Sequence, residues 1–312
     1  MRFNPKARLD TSQVEVRRGR GGGGGGLPFP IPSGGGGMKV GGGIGGIIVL
    51  ILILVVSQCM GGGLDLPTGQ VTPRSDNEPV SSTELTECRT GEDANNNPDC
   101  ARLAVVNSIQ GFWSEAIDGY READTVMFSG SVSTGCGGAT SAVGPFYCPP
   151  DQKVYLDTTF FKDMLEGQLG ATGGDFAEAY VLAHEYGHHI QNLTGYMGKV
   201  RTQQGPESDA VRLELQADCL GGLWANHATQ VPDADGNILI QGLNEQDIAE
   251  AINAAQAVGD DRIQQKSGGR INPDQWTHGS ADAREYWFRL GYRNGDFKAC
   301  DTFKARDLHL DG

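Results

Sequence analysis

The sequence predicts a helix-rich α+β fold with a small, mainly antiparallel sheet, preceded by one transmembrane helix. Apolar residues recur at helical spacing in several segments after residue 97, which is typical of amphipathic helices. Shorter apolar stretches bounded by glycine and proline are typical of strands. Residues 40–64 contain no charged side chain, and this length exceeds the about 20 residues that a transmembrane helix requires.

The charge of the chain is unevenly distributed. The 312 residues carry a net charge of −14, but residues 1–39 hold seven Lys or Arg against two acidic residues. The remainder holds 18 basic and 37 acidic residues. A body this acidic repels phosphate backbones, which excludes nucleic acid as a partner. The periodic apolar segments exclude a wholly disordered chain.

The N-terminal region predicts a membrane anchor. Residues 1–38 are basic and rich in glycine and proline, which is typical of a disordered tail. Residues 39–60 are the predicted transmembrane helix, and the basic residues before it place the N-terminus in the cytoplasm and the rest of the chain outside the cell membrane. A cleaved signal peptide and a lipoprotein modified at Cys59 are the alternatives. The long basic region and the Ser57-Gln58 pair before the cysteine disfavour both.

The rest of the chain divides into a polar linker, residues 61–96, and one folded domain, residues 97–312. Asn97 and Pro98 are a favourable N-cap and first helical residue, and they open a helix whose apolar positions run to residue 117. Strands are predicted at residues 125–131 and 154–156.

The later elements of the domain are mainly helices. A helix over residues 175–193 is expected to end at Thr194-Gly195, because glycine permits the left-handed conformation that closes many helices. Further helices are predicted at residues 158–166, 208–227, 244–258 and 280–294. Asn244 and Ser280 supply N-cap side chains for the last two.

The cysteines predict disulfide bonds in an exported domain. Cys59 falls in the predicted anchor, which leaves six cysteines in the body. Six cysteines allow 15 connectivities. Pairing of sequence neighbours gives Cys88–Cys100 and Cys136–Cys148, and leaves Cys219–Cys300. Free thiols in the core or a cysteine-rich zinc site are the alternatives, and the absence of any C-x-x-C spacing disfavours the zinc site.

One predicted helix carries a metal-binding pattern. His184 and His188 are four residues apart, so their imidazoles lie about 40° apart on one helix face. Two imidazoles at this spacing can bind one zinc ion, and Glu185 beside them can accept a proton from a metal-activated water. A solvated polar helix face is the alternative, but the surrounding residues of the helix are apolar.

The third metal ligand is predicted on the next helix. A metzincin would place a glycine three residues and a histidine six residues after His188, and this chain has Gln191 and Thr194 there. Glu214 is the predicted third ligand instead. Asp218, four residues later, is predicted to accept the ring N–H of a ligating histidine and so to orient it. An ordinary acidic surface pair is the alternative, which the apolar neighbours on this helix disfavour.

Six short motifs resemble a known family. They are HEYGHHIQ (184–191), ELQADC (214–219), GPFYCP (144–149), VYLD (154–157), THGS (277–280) and ACDTF (299–303). Together they are similar to the neutral zinc metallopeptidase family of bacteria, over roughly residues 97–303. The resemblance implies a zincin-like fold, a Zn²⁺ cofactor and a membrane-anchored peptidase, but it names no substrate.

His278 is a further candidate catalytic residue. It precedes Ser280, the predicted N-cap of the last helix, and zincins often use a residue outside the two metal helices to stabilise the oxyanion. The proposed Cys219–Cys300 bond would hold this region near the metal. A surface-loop histidine is the alternative.

Three functions are compatible with these patterns. The favoured one is a membrane-anchored zinc peptidase that hydrolyses peptides or proteins outside the cytoplasmic membrane, with Glu185 as general base. A zinc hydrolase of a non-peptide amide would use the same ligands. A cell-envelope scaffold with a structural zinc would normally have a fourth protein ligand, and the sequence offers none beside His184, His188 and Glu214.

Overall fold

The computed structural model describes residues 1–18, 85–141 and 143–310. The strands are β1 (Arg2–Phe3), β2 (Val14–Arg18), β3 (Thr125–Ser129), β4 (Ser131–Thr134), β5 (Gly137–Thr140), β6 (Phe146–Cys148), β7 (Lys153–Asp157) and β8 (Ile240–Gly242). The α-helices are α1 (Gly91–Asn96), α2 (Pro98–Ala116), α3 (Asp175–Leu193), α4 (Asp209–His227), α5 (Glu245–Ala257), α6 (Asp260–Lys266) and α7 (Ala281–Asn294). A π-helical segment, Phe161–Glu166, follows β7.

The main sheet is mixed. Its strand order is β2-β3-β7-β6, with β2 and β7 parallel to β3 and β6 antiparallel to β7. The prediction of a mainly antiparallel sheet is therefore wrong for this sheet. Parallel neighbours need long connections, and the chain supplies them here, because β2 lies far from β3 in sequence and the β4–β5 hairpin separates β3 from β7.

Three helices form the centre of the domain, where α4 packs against both α3 and α7. Glycine makes the close approach of backbones possible at these crossings. A Cβ at Gly222 or Gly291 would collide with the backbone of the facing helix, and one at Gly187 would lie 3.0 Å from the carbonyl oxygen of Ala217. This close packing brings the residues of α3 and α4 into one site.

The predicted long helices are confirmed. The helix over residues 175–193 has the predicted bounds, and the other three long helices after residue 200 and the one opened by Pro98 agree to within one residue at most ends. The side chains of Asn97, Ser208, Asn244 and Ser280 accept backbone N–H groups as N-caps. The predicted short helix at 158–166 is the π-helical segment.

Two predictions about the N-terminal region are corrected. Residues 1–18, expected to be part of a disordered tail, form β1 and β2 on the folded domain. The alternation of Val14 and Val16, both buried, is a strand pattern too short to stand out beside the glycine runs that follow. Residues 85–96, expected to be linker, contain α1 and the buried residues Leu85 and Cys88.

The remaining predictions for this region concern residues that the structure does not describe. The predicted tail at 19–38, the transmembrane helix at 39–60, Cys59 and the linker at 61–84 all lie outside the described residues. Within residues 1–18, 85–141 and 143–310, no helix is both long enough and apolar enough to cross a bilayer.

All three predicted disulfide bonds are present. Cys88 is bonded to Cys100, Cys136 to Cys148, and Cys219 to Cys300, with Cα–Cα distances of 5.1, 5.9 and 5.5 Å. The first two close short loops. The third joins the middle of α4 to the turn Phe297–Cys300 and so fixes the C-terminal segment beside the site helices.

Candidate metal centre

Two buried helices bring three metal-binding side chains together. Helix α3 carries His184 and His188, and α4 carries Glu214. The Nε2 atoms of the histidines lie 3.2 and 3.5 Å from the two carboxylate oxygens of Glu214. In the part of the chain that the structure describes, this is the one cluster with metal-ligand atoms, all within 4.8 Å of one another.

The ring nitrogens of both histidines are arranged for metal binding. The Nδ1 atom of His184 lies 2.8 Å from Oδ1 of Asp218, and the Nδ1 atom of His188 lies 2.8 Å from Oε1 of Gln191. Both partners are acceptors, so both Nδ1 atoms donate, and the Nε2 atoms on the Glu214 side are the nitrogens left for a metal. Two imidazole nitrogens and one carboxylate are the donor set of many catalytic zinc sites, so these residues fit zinc.

The His184 side of the centre rests on a buried charged network. Arg284 of α7 donates from Nε and Nη2 to the carboxylate of Asp218 at 2.8 and 2.9 Å, and the hydroxyl of Tyr180 donates to it at 2.5 Å. Burial raises the pKa of Asp218, but the charges and hydrogen bonds of Arg284 and His184 together outweigh this effect and lower that pKa to about 2. The carboxylate therefore stays ionised and holds the ring of His184.

The His188 side rests on neutral groups. The amide nitrogen of Gln191 donates to the carbonyl of Leu213 at 2.6 Å and to the side-chain oxygen of Gln216 at 3.1 Å. Gln216 in turn donates to the carbonyl of Cys300 at 3.0 Å. This chain of amides links His188 to the disulfide-bonded C-terminal segment.

Glu185 lies beside the cluster and is not one of its three members. Its side chain is buried, and burial raises its pKa, while His184 and His188 oppose this effect. The backbone N–H of Tyr147 also lowers the pKa. Tyr147 lies on β6, an edge strand of the main sheet, so the carboxylate of Glu185 is placed between the metal ligands and that edge.

The loop that carries His278 is held by Asp260 of α6. One oxygen of Asp260 accepts the backbone N–H groups of Thr277, His278 and Gly279 at 2.7, 2.6 and 3.0 Å. The other lies 3.4 Å from Nδ1 of His278. A Cβ at Gly279 would lie 3.3 Å from the side chain of Val211, so this loop packs on α4 one turn before Glu214.

The electrostatic influence of His278 reaches the cluster. Burial raises the pKa of Glu214, but His188, His184 and His278 lower it, and the net pKa is well below its usual value. The structure thus brings together His184, Glu185, His188, Glu214 and Asp218, and His278 lies close enough to lower the pKa of Glu214.

Four residues of the site were missed in the sequence. They are Tyr180, Gln191, Asp260 and Arg284. Tyr180 could have been found, because it lies four residues before His184 and therefore on the same face of α3. Arg284 and Asp260 come from helices whose position beside α3 and α4 no local pattern reveals.

Comparison with known proteins agrees with this geometry. The family described as "Putative neutral zinc metallopeptidase" matches residues 1–303. The chain belongs to this family. The zinc cofactor of the family and the His-His-Glu cluster of this chain correspond, so the cofactor is Zn²⁺.

Relatives of the chain occur in distant bacteria. The uncharacterized protein Rv2575 of Mycobacterium tuberculosis is 51% identical over 227 residues, which cover 72% of this chain and 77% of the relative. The uncharacterized protein YpfJ of Escherichia coli K12 is 41% identical over 254 residues, which cover 77% of this chain and 81% of the relative. No solved structure matches the chain.

Proposed function

We propose that this protein is a zinc-dependent peptidase that hydrolyses peptide bonds outside the cytoplasmic membrane, to which residues 39–60 anchor it. One observation carries the proposal. Two imidazoles with engaged Nδ1 atoms and one carboxylate converge on a single point, with a second buried carboxylate, that of Glu185, beside them.

Different residues of the site have different roles in the proposed hydrolysis. His184, His188 and Glu214 hold the metal, and Zn²⁺ when bound polarises a carbonyl group and a water molecule as a Lewis acid. Glu185 accepts a proton from the attacking water and then donates it to the leaving amine. Its burial supports this role, because a carboxylate with a raised pKa exchanges protons more readily near neutral pH.

His278 is the proposed stabiliser of the negative charge that develops on the scissile carbonyl oxygen. Its Nδ1 atom is occupied by Asp260 and Thr277, so its Nε2 atom is the one available for a substrate. Asp260 fixes the loop through three backbone N–H groups and is therefore a positioning residue.

The role of His278 has a direct test. The variant His278→Gln should lower kcat by about 10²-fold, the usual effect of losing one donor to an oxyanion. Zinc content should stay unchanged, because His278 is outside the ligand cluster. Asp260→Asn should change kcat in the same direction by less. Loss of zinc from His278→Gln would show that this residue acts on the metal centre itself.

The number of metal ligands argues for a catalytic zinc, and the disulfide bonds argue for a location outside the cytoplasm. A structural zinc usually has four protein ligands, and the cluster in the described residues supplies three. Three disulfide bonds are typical of a protein folded in an oxidising compartment. Attachment to the membrane rests on the uncharged sequence at 40–64.

The peptidase proposal is tested with an unbiased peptide library. The purified full-length chain should cleave a subset of peptides, a chelator should abolish cleavage, and added Zn²⁺ should restore it. A chain that binds zinc but cleaves no peptide, and instead hydrolyses small non-peptide amides, would favour the second hypothesis. Bound zinc with neither activity would favour the scaffold.

A further inference from the structure

The first eighteen residues belong to the same folded body as the metal centre. Strand β2 pairs with β3 along its whole length, from Val14 opposite Thr125 to Arg18 opposite Ser129. Strand β1 pairs with β8. Because β3 is a central strand of the sheet whose far edge is β6, beside Glu185, the N-terminal segment and the metal centre share one sheet.

The side chains of this segment are part of the main hydrophobic core. Phe3, Ala7, Val14 and Val16 are 4%, 0%, 8% and 4% exposed. They belong to the same apolar cluster as the buried residues of α2, α3 and α4. Burial of several apolar side chains of this size stabilises the docked segment by several kcal/mol, at about 25 cal/mol per Å² of apolar surface.

Residues of the domain make close contacts and hydrogen bonds with the N-terminal segment. A Cβ at Gly91 would collide with the backbone carbonyl of Asn4, and the N–H of Gly91 donates to the carbonyl of Ala7 at 2.8 Å. Asn107, a buried polar residue of α2, accepts the N–H of Asp10 at 2.8 Å and donates to its carbonyl at 3.0 Å. Without the segment, Asn107 would lose both partners.

Residues 85–90, where the described chain resumes, also contact the N-terminal segment. The backbone N–H of Leu9 donates to the carbonyl of Arg89 at 3.0 Å, and Arg8 forms a bridge with Thr90. Leu85, where the described chain resumes, is buried. Arg18 and Leu85, the described residues nearest in sequence to 19–84, therefore both belong to the folded domain.

We propose that residues 1–18 lie on the same side of the membrane as the metal centre. Backbone hydrogen bonds between β2 and β3 cannot form across a bilayer. A single crossing, with the N-terminus in the cytoplasm and the domain outside, is incompatible with this pairing, so the membrane attachment proposed above must leave residues 1–18 and the domain on one side. The proposal is independent of the peptidase activity.

The basic residues that predicted the opposite orientation have another role here. Five of the seven that precede residue 40 lie within residues 1–18. Arg17 pairs with Glu15 at 2.8 Å and donates to the carbonyl of Ser133, and Arg8 pairs with Asp235 at 3.0 Å. These charges belong to a folded surface, so they are not available as a free tail that orients a membrane helix.

Accessibility of two single cysteines tests the proposal in intact cells. In a Cys59→Ser background, Ser12→Cys marks the N-terminal segment and Lys298→Cys marks the domain, since both positions are exposed. The other cysteines are held in disulfide bonds. With a maleimide that cannot cross membranes, both cysteines should react or both should be protected until the cells are permeabilised. Reaction of one and protection of the other would overturn the proposal.

A designed disulfide tests the pairing itself. Arg2 and Gly242 are Cα partners of β1 and β8, both are exposed, and a Cβ at Gly242 would meet no atom within 4 Å. In membranes treated with an oxidant that reaches both faces, Arg2→Cys with Gly242→Cys should give a linked pair of peptides by mass spectrometry. Arg2→Cys with Lys298→Cys is the matched control and should give none. Absence of the Arg2–Gly242 link would contradict the docked segment.

Discussion

The two histidines of the metal centre are held by different kinds of chemistry. His184 donates to the ionised, fully buried Asp218, which is in turn held by Arg284 and Tyr180. His188 donates to the neutral amide of Gln191, and its side chain keeps 12% exposure. The two ligand side chains are similarly buried, at 8% and 12% exposure, so what distinguishes them is a charged partner for one and a neutral partner for the other.

The two partners should therefore affect the histidines differently, one through the electron density of the ring and the other through its orientation. A carboxylate makes the imidazole more electron-rich and strengthens its bond to a metal, whereas an amide mainly fixes the orientation of the ring. Both supports reach beyond α3, since the charged network spans α3, α4 and α7 and the amides of Gln191 and Gln216 join α3 and α4 to the C-terminal segment. The difference between the two histidines is therefore one of charge, and zinc affinity should depend on a buried carboxylate at His184 and on a neutral acceptor at His188.

Removal of a ligand is the largest change the centre can undergo. His184→Ala, His188→Ala and Glu214→Ala should each lose zinc and peptidase activity together, because two remaining ligands hold zinc poorly. Zinc per chain by mass spectrometry and peptide cleavage are the measurements. Full zinc content in Glu214→Ala would show that the third ligand is misassigned.

The buried ion pair between Arg284 and Asp218 should affect the stability of the protein. Arg284→Met should remove the buried guanidinium that pairs with Asp218 and lower the free energy of unfolding by about 3–5 kcal/mol in zinc-free protein, as measured by urea denaturation. Arg284→Met combined with Asp218→Asn removes both charges, so it should recover much of this loss. A cost below about 1 kcal/mol for Arg284→Met alone would contradict the charged network.

Much of the site is predictable from the sequence because its spacing is local. His184, Glu185 and His188 occupy one helix, and Glu214 and Asp218 repeat the four-residue spacing on the next. Arg284 is not predictable in this way, because its contact with Asp218 exists only after α7 packs on α4. The same reason hides β2, since its partner β3 lies more than 100 residues later and the intervening glycine-rich sequence suggests disorder.

Two substitutions with smaller expected effects on zinc affinity compare the partners of the two histidines directly. Asp218→Asn keeps an acceptor for His184 but removes the charge, and it should weaken zinc affinity by roughly 10–100-fold. Gln191→Leu should weaken it by less than about 10-fold, because it removes a neutral acceptor that orients the ring and removes no charge. Competition with a chelator of known affinity measures both. Equal losses would show that charge gives the His184 side no advantage.

In the proposed mechanism Glu185 moves the proton while three other residues hold the zinc, and the variant Glu185→Gln separates these two roles. Glutamine keeps the size and some hydrogen bonding of the side chain but cannot accept the proton of water. The variant should retain one zinc per chain and lose at least about 10²-fold in peptide turnover relative to the wild-type chain. Turnover at the wild-type rate, or loss of zinc from this variant, would contradict the assignment of Glu185 as a general base outside the ligand set.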